Sequence, residues 1–268
     1  MTNLPTMSLS DAIAQARSLF PSTTVHSKHW QGVDISKKPE MAMHEILNYS
    51  FSSPLPTEDL DYYRKEVGPN LPWADRHFEL ERVSGEPINP GDTWKEWPYA
   101  HSASRFLDTK GQFNHSYAER YWPRYAGATP GGRLDGGESS MRQGIRYLYA
   151  DLNDVVGQLQ DDPLTRQAYM PVWFPEDGSH NDRKPCTLGY HFIMRDDKFH
   201  CVYYIRSCDF IRHFRDDIYL TIRLQLWILD VLRGMDPLWK NIKPGNLVMH
   251  VTSLHMFRND YLTIQAEK

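Results

Sequence analysis

The sequence predicts an α+β fold, because strand patterns and one strong helix pattern follow each other in its second half. Charged residues at Arg195–Lys198 separate two apolar runs, which predicts a hairpin turn followed by a strand over Phe199–Arg206. Apolar side chains then repeat at helical spacing through Asp216–Leu232, and acids at its start suit the positive end of a helix dipole. Leu247–Phe257 predicts a further strand.

The remaining elements are predicted from shorter patterns. An amphipathic helix is expected over Tyr149–Leu159, and a helix over Ser8–Leu19 has Ser10 as its candidate cap. A strand is expected over Tyr169–Phe174. Three segments are less specific: Thr23–Val33 is strand or loop, Met41–Tyr49 is helix or strand, and Ser52–Pro72 is rich in proline and acids.

Composition limits the function classes. A chain of 268 residues suits one large domain or two small ones. The net charge of −4 and the pI near 6.3 argue against a nucleic-acid partner, which usually meets a basic surface. Three cysteines without a CxxC pair disfavour a zinc site or a disulfide framework. With no apolar run of membrane-span length and no signal pattern, a cytoplasmic location without a membrane partner is expected.

The segment around the hairpin contains residue types that carry chemistry. Cys186 follows Pro185 and is a candidate nucleophile if a nearby cation holds it as a thiolate. Arg206 and Ser207 are candidates for holding a phosphate, because a guanidinium forks onto two oxygens and a hydroxyl adds a third bond. Cys201 and Cys208, within and just after the predicted strand, are interpreted as structural.

Together these residues resemble the thymidylate synthase family. There a Pro-Cys nucleophile precedes the arginine of an Arg-Ser-x-Asp motif by 20 positions, the separation of Cys186 and Arg206. The chain is most similar to the deoxycytidylate hydroxymethylases of T-even phages, which share Cys-Thr at Cys186–Thr187 and Ser-Leu-His at 253–255. Those enzymes have Phe-Arg-Asn-Asp where this chain has Phe214–Asp217.

The resemblance implies a thymidylate synthase fold, with a large mixed sheet flanked by helices and one sheet face used for dimerisation. It further implies a single catalytic domain over residues 1–268 and 5,10-methylenetetrahydrofolate as the one-carbon donor. The expected substrate is a pyrimidine nucleoside monophosphate, and the expected assembly is a homodimer.

The resemblance also assigns the catalytic residues. Cys186 adds to C6 of the pyrimidine, and Asp217 stands where the synthases have the asparagine that reads uracil, which implies a cytosine nucleotide. Two glutamates upstream of Trp94, Glu79 and Glu81, are candidates for the position of the family's active-site glutamate, and Glu81 is favoured slightly. Either glutamate could instead lie on the solvent-exposed face of a helix without a catalytic role. Asp217 could instead be an acid in the first turn of a helix, where the helix dipole stabilises it.

Substrate contacts are implied at further positions. Arg206 and Ser207 would hold the phosphate with Arg166 of the other protomer, while Gln167 replaces a second family arginine. The sugar would meet the pair His255 and Phe257, and Tyr117 would form one wall of the site. Because Phe257 lacks the phenol oxygen of the family's His-x-Tyr, the choice between dCMP and CMP stays open.

The implied folate site comprises Trp94, Trp97 and Asp209, although a core role alone is about as probable for Trp97. Two other features are interpreted as ordinary surface. Lys28 lies where the family has a phosphate loop but lacks its motif, and the glycine-rich segment Gly127–Gly137 lacks the Lys-Ser/Thr of a P-loop.

The resemblance leaves two products open, a 5-hydroxymethyl or a 5-methyl pyrimidine. A further alternative is that the protein binds nucleotides without catalysing a reaction. Hydroxymethylation is expected, because Thr187 stands where the synthases have histidine and the chain stops at Lys268 without the family's long closing tail.

Overall fold

The computed structural model describes residues 4–30, 33–123, 151–178 and 183–267. Its centre is a five-stranded mixed sheet, and two short strands form a separate hairpin. The strands are β1 (His29–Trp30), β2 (Val33–Asp34), β3 (Met43–Pro54), β4 (Tyr169–Pro171), β5 (Thr187–Arg195), β6 (Lys198–Asp209) and β7 (Lys243–Phe257). The helices are α1 (Leu9–Leu19), α2 (Leu60–Val67), α3 (Trp73–His77), α4 (Ala100–Ala103), α5 (Tyr117–Tyr121), α6 (Leu152–Asp161), α7 (Phe214–Met235) and α8 (Arg258–Ala266).

The sheet has the strand order β3-β7-β6-β5-β4. β6 and β7 are parallel, and the other neighbouring pairs are antiparallel. Parallel neighbours need a crossover connection, and the long helix α7 supplies it. The α+β class and the mixed sheet flanked by helices are thus confirmed.

The β5–β6 hairpin forms where the charged turn predicts it. Asp196 and Asp197, the two turn residues, have φ angles of 52° and 55°. Positive φ at both central positions matches the right-handed twist of the strands, and aspartate tolerates this region better than most residues. The strand after the turn runs to Asp209, so the polar residues from Arg206 onward lie within β6 rather than after it.

Helix α7 is the main apolar element against the sheet. Its side chains at Ile218, Ile222 and Leu229 are fully buried, as their helical spacing predicts. Helix α6 buries Leu152, Val155, Val156 and Leu159, again as predicted. Burial of several large side chains at about 1.5–3 kcal/mol each makes this layer the main source of stability.

Side chains on the other face of the sheet remain partly exposed, and we call His191, Val202, Tyr204 and His250 the open sheet face. His191 pairs with Val202 and Tyr204 pairs with His250, and the rings of the latter two stack with centroids 5.3 Å apart. Ser50 Oγ and His250 Nδ1 are 3.0 Å apart across the β3–β7 pair. This face has aromatic and aliphatic groups that a second protein surface would bury.

Several element predictions need correction. Helix α1 is capped by Ser8, whose hydroxyl accepts from Asp11 N at 3.1 Å, and not by Ser10. The strand predicted to end at Phe174 ends at Pro171, because the N–H groups of Val172 and Trp173 both bond the carbonyl of Leu188 and break the ladder.

The open alternatives are also decided. The Met41–Tyr49 pattern belongs to a strand, β3, which starts at Met43. The proline- and acid-rich segment 52–72 contains the end of that strand and the helix α2. The start of the predicted Tyr149–Leu159 helix and the whole of Gly127–Gly137 lie outside the described residues.

None of the helices in the described ranges is both long enough and apolar enough to cross a membrane.

Candidate active site

A cavity of about 860 Å³ lies at one edge of the sheet. Because β6 and β7 are parallel, their carboxyl ends meet at this edge, where Asp209 pairs with His255. The antiparallel β5 begins here, and the carbonyl of Cys186 accepts from the backbone N–H of Arg206 at 2.9 Å. Helix α7 starts directly after β6 and brings Asp217 to the same place. The topology therefore gathers residues that are far apart along the chain.

Most of the predicted site residues line this cavity. They are Cys186, Arg206, Ser207, Asp209, Asp217, Tyr117, Trp94, Trp97, His255 and Phe257. The two others lie elsewhere: Glu81 is buried behind the wall, and Arg166 is exposed on the turn before β4. The roles assigned to all of these residues stay predictions.

Cys186 is the one cysteine at the cavity surface among the described residues. Burial raises the pKa of its thiol, and the charges on Arg206 and Arg183 act in the opposite direction. Arg206 thus acts in the expected direction on the pKa of the thiol, but desolvation dominates and the net shift is upward. Arg183 was not singled out in the sequence, although it lies only three residues before Cys186.

Arg206 holds the segment that carries the candidate nucleophile. Its Nε donates to the carbonyl of Pro185 at 2.9 Å, and Nη2 donates to the carbonyl of Lys184 at 3.0 Å. Nη1 has no partner among the described residues and remains for a ligand. Arg206 is thus a positioning group for Cys186 as well as a candidate phosphate ligand.

Asp217 is a partly buried carboxyl group in the cavity wall. Burial raises its pKa to about 7, and the charge on Arg82 is the largest opposing influence. The Cys208 thiol donates to Asp217 Oδ2 at 3.4 Å, so Cys208 contacts the site and is not only a core residue as interpreted from sequence. The neighbouring Asp216 differs, because Asn70 donates to both of its oxygens at 2.8 Å.

A chain of hydroxyl groups runs beside Cys186. Thr187 is fully buried, and its Oγ1 donates to Tyr117 Oη at 3.2 Å. The same oxygen lies 2.8 Å from Tyr203 Oη, which leaves Tyr203 as the donor of that bond. Charge on Asp217 raises the pKa of the already desolvated Tyr203 phenol, so the chain ends close to the Asp217 carboxyl group.

The competing glutamates have different surroundings. Glu79 lies outside, with its side chain 60% exposed and paired with Arg223 at 2.8 Å. Glu81 is 4% exposed and accepts from Thr93 N at 2.8 Å. Its Oε2 also lies 2.8 Å from His77 Nδ1, and His77 reaches the cavity where Glu81 does not. Of the two glutamates, only Glu81 therefore contacts a side chain that lines the cavity, that of His77.

The residue after Glu81 is at the cavity surface. Arg82 ends a π-helical turn, Phe78–Arg82, a geometry often found at functional sites. Arg82 Nε donates to His77 Nε2 at 3.0 Å, which makes Nδ1 of His77 the donor to Glu81. The Arg82 guanidinium lies over the Tyr117 ring at 4.5 Å. His77 and Arg82 were missed in the sequence because their roles depend on this turn.

Flat aromatic walls form another part of the cavity. Trp94 meets the Phe113 ring edge at a centroid distance of 5.5 Å, and its buried Nε1 has no partner among the described residues. Trp97 stacks on His213 at 4.7 Å. An unpartnered buried N–H beside aromatic rings fits a planar ligand with an acceptor atom, such as a pterin.

Asp209 lies near this wall and is already well bonded. Its Oδ1 accepts from the N–H groups of Ile211 and Arg212 at 2.9 and 3.0 Å, and its Oδ2 accepts from Arg212 Nη1 at 2.8 Å. His255 is 9% exposed, and Phe257 packs on Trp30 from the β1–β2 hairpin at a ring-centroid distance of 5.7 Å.

Lys28 is exposed and does not line the cavity, as expected for a surface lysine.

Comparison with known proteins identifies the family. The thymidylate synthase family model matches residues 88–267, which is more than half of the chain. The chain belongs to the thymidylate synthase family. The structure is similar to that of thermostable thymidylate synthase A from Bacillus subtilis, with a TM-score of 0.64 and 10% identity over 97% of this chain and 83% of that one. That similarity concerns the fold alone.

Sequence relatives within the thymidylate synthase family are distant. Thymidylate synthase from Mycoplasma pneumoniae is 26% identical over 180 residues, covering 67% of this chain and 59% of that protein. Deoxyuridylate hydroxymethyltransferase from Bacillus phage SP01 is 27% identical over 168 residues, covering 61% and 38%. The chain thus spans less than two thirds of these relatives' lengths. His77, Glu81 and Arg82 precede the region that matches the family model.

Proposed function

We propose that this protein transfers a one-carbon unit from 5,10-methylenetetrahydrofolate to C5 of a cytosine nucleotide, dCMP or CMP, and releases a 5-hydroxymethyl product. One observation carries the proposal: the partly buried Asp217 carboxyl group, with its pKa raised to about 7, lines the same cavity as the Cys186 thiol. A nucleophile and a group able to read the base are therefore available together. Membership of the thymidylate synthase family supports the reaction class.

The first step is the addition of the Cys186 thiolate to C6 of the pyrimidine. Addition turns C5 into an enamine-like carbon, so that one difficult substitution is divided into easier steps. Burial disfavours the Cys186 thiolate, whereas Arg206 and Arg183 favour it. These two arginines keep the thiolate accessible while Arg206 holds the segment that carries Cys186.

The base is read by the Asp217 side chain. A protonated carboxyl group donates to N3 of cytosine and accepts from its 4-amino group. A pKa of about 7 leaves a large share of Asp217 protonated at neutral pH, which makes this pairing available. The free Nη1 of Arg206 and the Ser207 hydroxyl are suited to the phosphate, and His255 with Phe257 is suited to the sugar.

The folate is assigned to the aromatic wall. Bound there, it supplies the one-carbon unit and, in a methylation, also a hydride. Trp94 and Trp97 are suited to pack on its pterin ring, and the unpartnered Trp94 Nε1 is suited to donate to it. Asp209 completes this subsite, since its carboxylate lines the cavity with one edge held by Arg212.

The fate of the bound one-carbon unit separates the two products. We expect incubation with dCMP and methylenetetrahydrofolate to give a hydroxymethylated base and tetrahydrofolate, because the small Thr187 stands where the synthases have histidine. Product mass and the absorbance of dihydrofolate measure this. A stoichiometric dihydrofolate signal with a 5-methyl product would instead identify a cytidylate methylase, and no product from any pyrimidine nucleotide would identify a non-catalytic relative.

A uracil nucleotide is the second candidate substrate. The phage relative is named a deoxyuridylate hydroxymethyltransferase, which favours hydroxymethylation and also uracil. The mass experiment with dCMP, CMP and dUMP in parallel decides between them. A preference for dUMP would contradict the proposed cytosine substrate but would leave the proposed hydroxymethylation reaction unchanged.

We also propose a homodimer with a shared active site. Arg166 is exposed and lies outside its own cavity, on the turn before β4 at the edge of the sheet. Its carbonyl lies 3.0 Å from His191 Nε2 of the open sheet face. Packing of two open sheet faces would bury Val202, Tyr204 and His250 and carry Arg166 toward the partner's phosphate.

The shared site predicts complementation. Chains with Cys186→Ala or Arg166→Ala are each expected to be inactive, whereas a mixture re-equilibrated through the monomer contains heterodimers with one intact site. Random pairing should recover about a quarter of the wild-type activity. A mixture of Cys186→Ala with Lys28→Ala, whose lysine is on the surface, is the control for dilution effects. Absence of recovery, with heterodimers verified by native mass spectrometry, would count against a shared site.

A further inference from the structure

Arg82 is a buried cation without a direct counter-ion. It is 4% exposed, and no carboxylate in the described part of the chain lies within ion-pair distance of its guanidinium. Its contacts are neutral: Nε donates to His77 Nε2, Nη1 donates to Tyr121 Oη at 3.3 Å, and the guanidinium lies over the Tyr117 ring. An unpaired buried charge is costly, so its retention in a cavity wall calls for a reason.

Among the described carboxyl groups, Asp217 and Asp216 interact electrostatically with Arg82, and both line the same cavity. Asp216 already accepts two hydrogen bonds from Asn70, so Asp217 is the one of the two that is left to respond to Arg82. Asp217 also lacks an ion-pair partner among the described residues, and its hydrogen-bond partners there are the neutral Cys208 thiol and Tyr203 phenol. The titratable groups facing these two side chains are His77, Tyr121 and Tyr190 near Arg82, Asp216, Cys186, Cys208 and Tyr203 near Asp217, and Tyr117 near both. Arg206 and Arg183 face Cys186, and Arg82 is the described cation with the largest influence on Asp217.

The chemistry of cytosine moves a charge to Asp217. When the Cys186 sulfur bonds to C6, the C5–C6 π pair shifts to C4–C5 and the C4–N3 π pair shifts to N3. N3 then takes the proton of the Asp217 carboxyl group. A thiolate and a neutral acid thus become a neutral adduct and a carboxylate, so the negative charge travels from Cys186 to Asp217.

We propose that Arg82 is the counter-ion of the Asp217 carboxylate that forms in this step, held in place by the Glu81–His77 pair. The inference rests on the proposed function, because it requires Asp217 to give a proton to the base. A fixed cation in the same cavity wall as the developing charge lowers the barrier without reorganising the site. Glu81 orients His77, and His77 accepts from Arg82, so the buried glutamate acts by positioning Arg82.

Arg82→Gln and Arg82→Met remove the charge, the first with a polar side chain and the second with an apolar one of similar length. Arg82→Lys keeps the charge. Arg223→Met is the matched control, since Arg223 is also a buried arginine over an aromatic ring, Phe78 at 4.6 Å, but is paired with Asp75 and does not line the cavity. Each variant is checked for folding by thermal unfolding, and the folded neutral variant is used.

The first readout needs no substrate. Titration of Asp217 by carboxyl ¹³C NMR, with its signal identified by its loss in Asp217→Asn, should move to higher pH by about 1 pH unit in a neutral variant. The sign follows from the loss of a cation that favours the ionised form. Arg82→Lys and Arg223→Met should titrate close to wild type.

The second readout is solvent exchange of the C5 hydrogen of dCMP without folate, which reports thiolate addition. A neutral Arg82 variant should lose about 100-fold in exchange rate, Arg82→Lys should recover most of it, and Arg223→Met should stay near wild type. An unmoved Asp217 titration, or equal losses in Arg82→Lys and Arg82→Gln, would overturn the inference. If the wild-type protein catalyses the exchange with dUMP but not with dCMP, the proposed cytosine substrate is refuted. The NMR titration, which needs no substrate, would still test whether Arg82 acts on the Asp217 carboxyl group.

Discussion

Cys186→Ala is expected to abolish turnover and the folate-independent exchange of the C5 hydrogen, with nucleotide binding retained. The side chain lines the cavity between Arg206 and Asp217, so its removal takes away the nucleophile and leaves the phosphate and base contacts in place. Without covalent addition C5 stays a poor nucleophile, and the loss should be at least about 10⁴-fold, comparable to removal of other catalytic nucleophiles. Exchange of tritium from C5 into water measures the step directly.

The matched control is Cys201→Ala. Cys201 is also a free cysteine, but it is fully buried in the core and does not line the cavity. It should lose some stability and keep the exchange activity. Cys208 is unsuitable for this purpose, because its thiol donates to Asp217. Exchange at the wild-type rate in Cys186→Ala would remove Cys186 from the mechanism.

Asp217→Asn is the second large change, and it should move preference from cytosine toward uracil nucleotides. An amide offers a donor for O4 and an acceptor for N3–H of uracil, whereas the protonated carboxyl group of Asp217 donates to N3 of cytosine. A mismatched buried polar pair costs about 1–3 kcal/mol, or about ten- to a hundredfold in the ratio of dCMP to dUMP turnover. Competition between the two nucleotides gives this ratio in one experiment.

Asp216→Asn controls for the helix-start interpretation. Both acids lie in the first turn of α7, where a carboxylate is stabilised by the helix dipole, but the oxygens of Asp216 are occupied by Asn70. If Asp217 is only a helix-start acid, both substitutions should lower stability and neither should alter base preference. An unchanged ratio in Asp217→Asn, or a wild type that already prefers dUMP, would support that simpler reading.

The protonation state of Asp217 also predicts a pH dependence of binding. Its pKa is raised to about 7, and the protonated form is the one that donates to cytosine N3. Binding of dCMP should therefore be strongest below pH 7 and weaken as the pH rises through that value. Asp217→Asn should lose this dependence, because an amide does not titrate. The dissociation constant measured by calorimetry between pH 5.5 and 8.5 tests both statements.

Local pattern predicted much of the fold. The charged turn of the hairpin, the apolar repeat of α7 and the apolar run of β7 are set by neighbours in the chain, and the structure confirms the three elements that they predict. The boundaries that failed depend on distant partners. The strand β4 ends early because Val172 and Trp173 share one acceptor on β5, and this cannot be seen in a single segment.

The sequence by itself determined which residue types are present for the chemistry: a Pro-Cys pair, an Arg-Ser-x-Asp motif 20 positions later, and an aspartate where asparagine reads uracil. Only the tertiary structure decided their state. Burial raises the pKa of Cys186 and of Asp217, and burial is a property of the closed cavity rather than of the neighbouring sequence. The same packing separates Glu79 from Glu81 and brings His77 and Arg82 to the wall through a π-helical turn, because the charge and hydrogen bonds of a side chain depend on what the fold places around it.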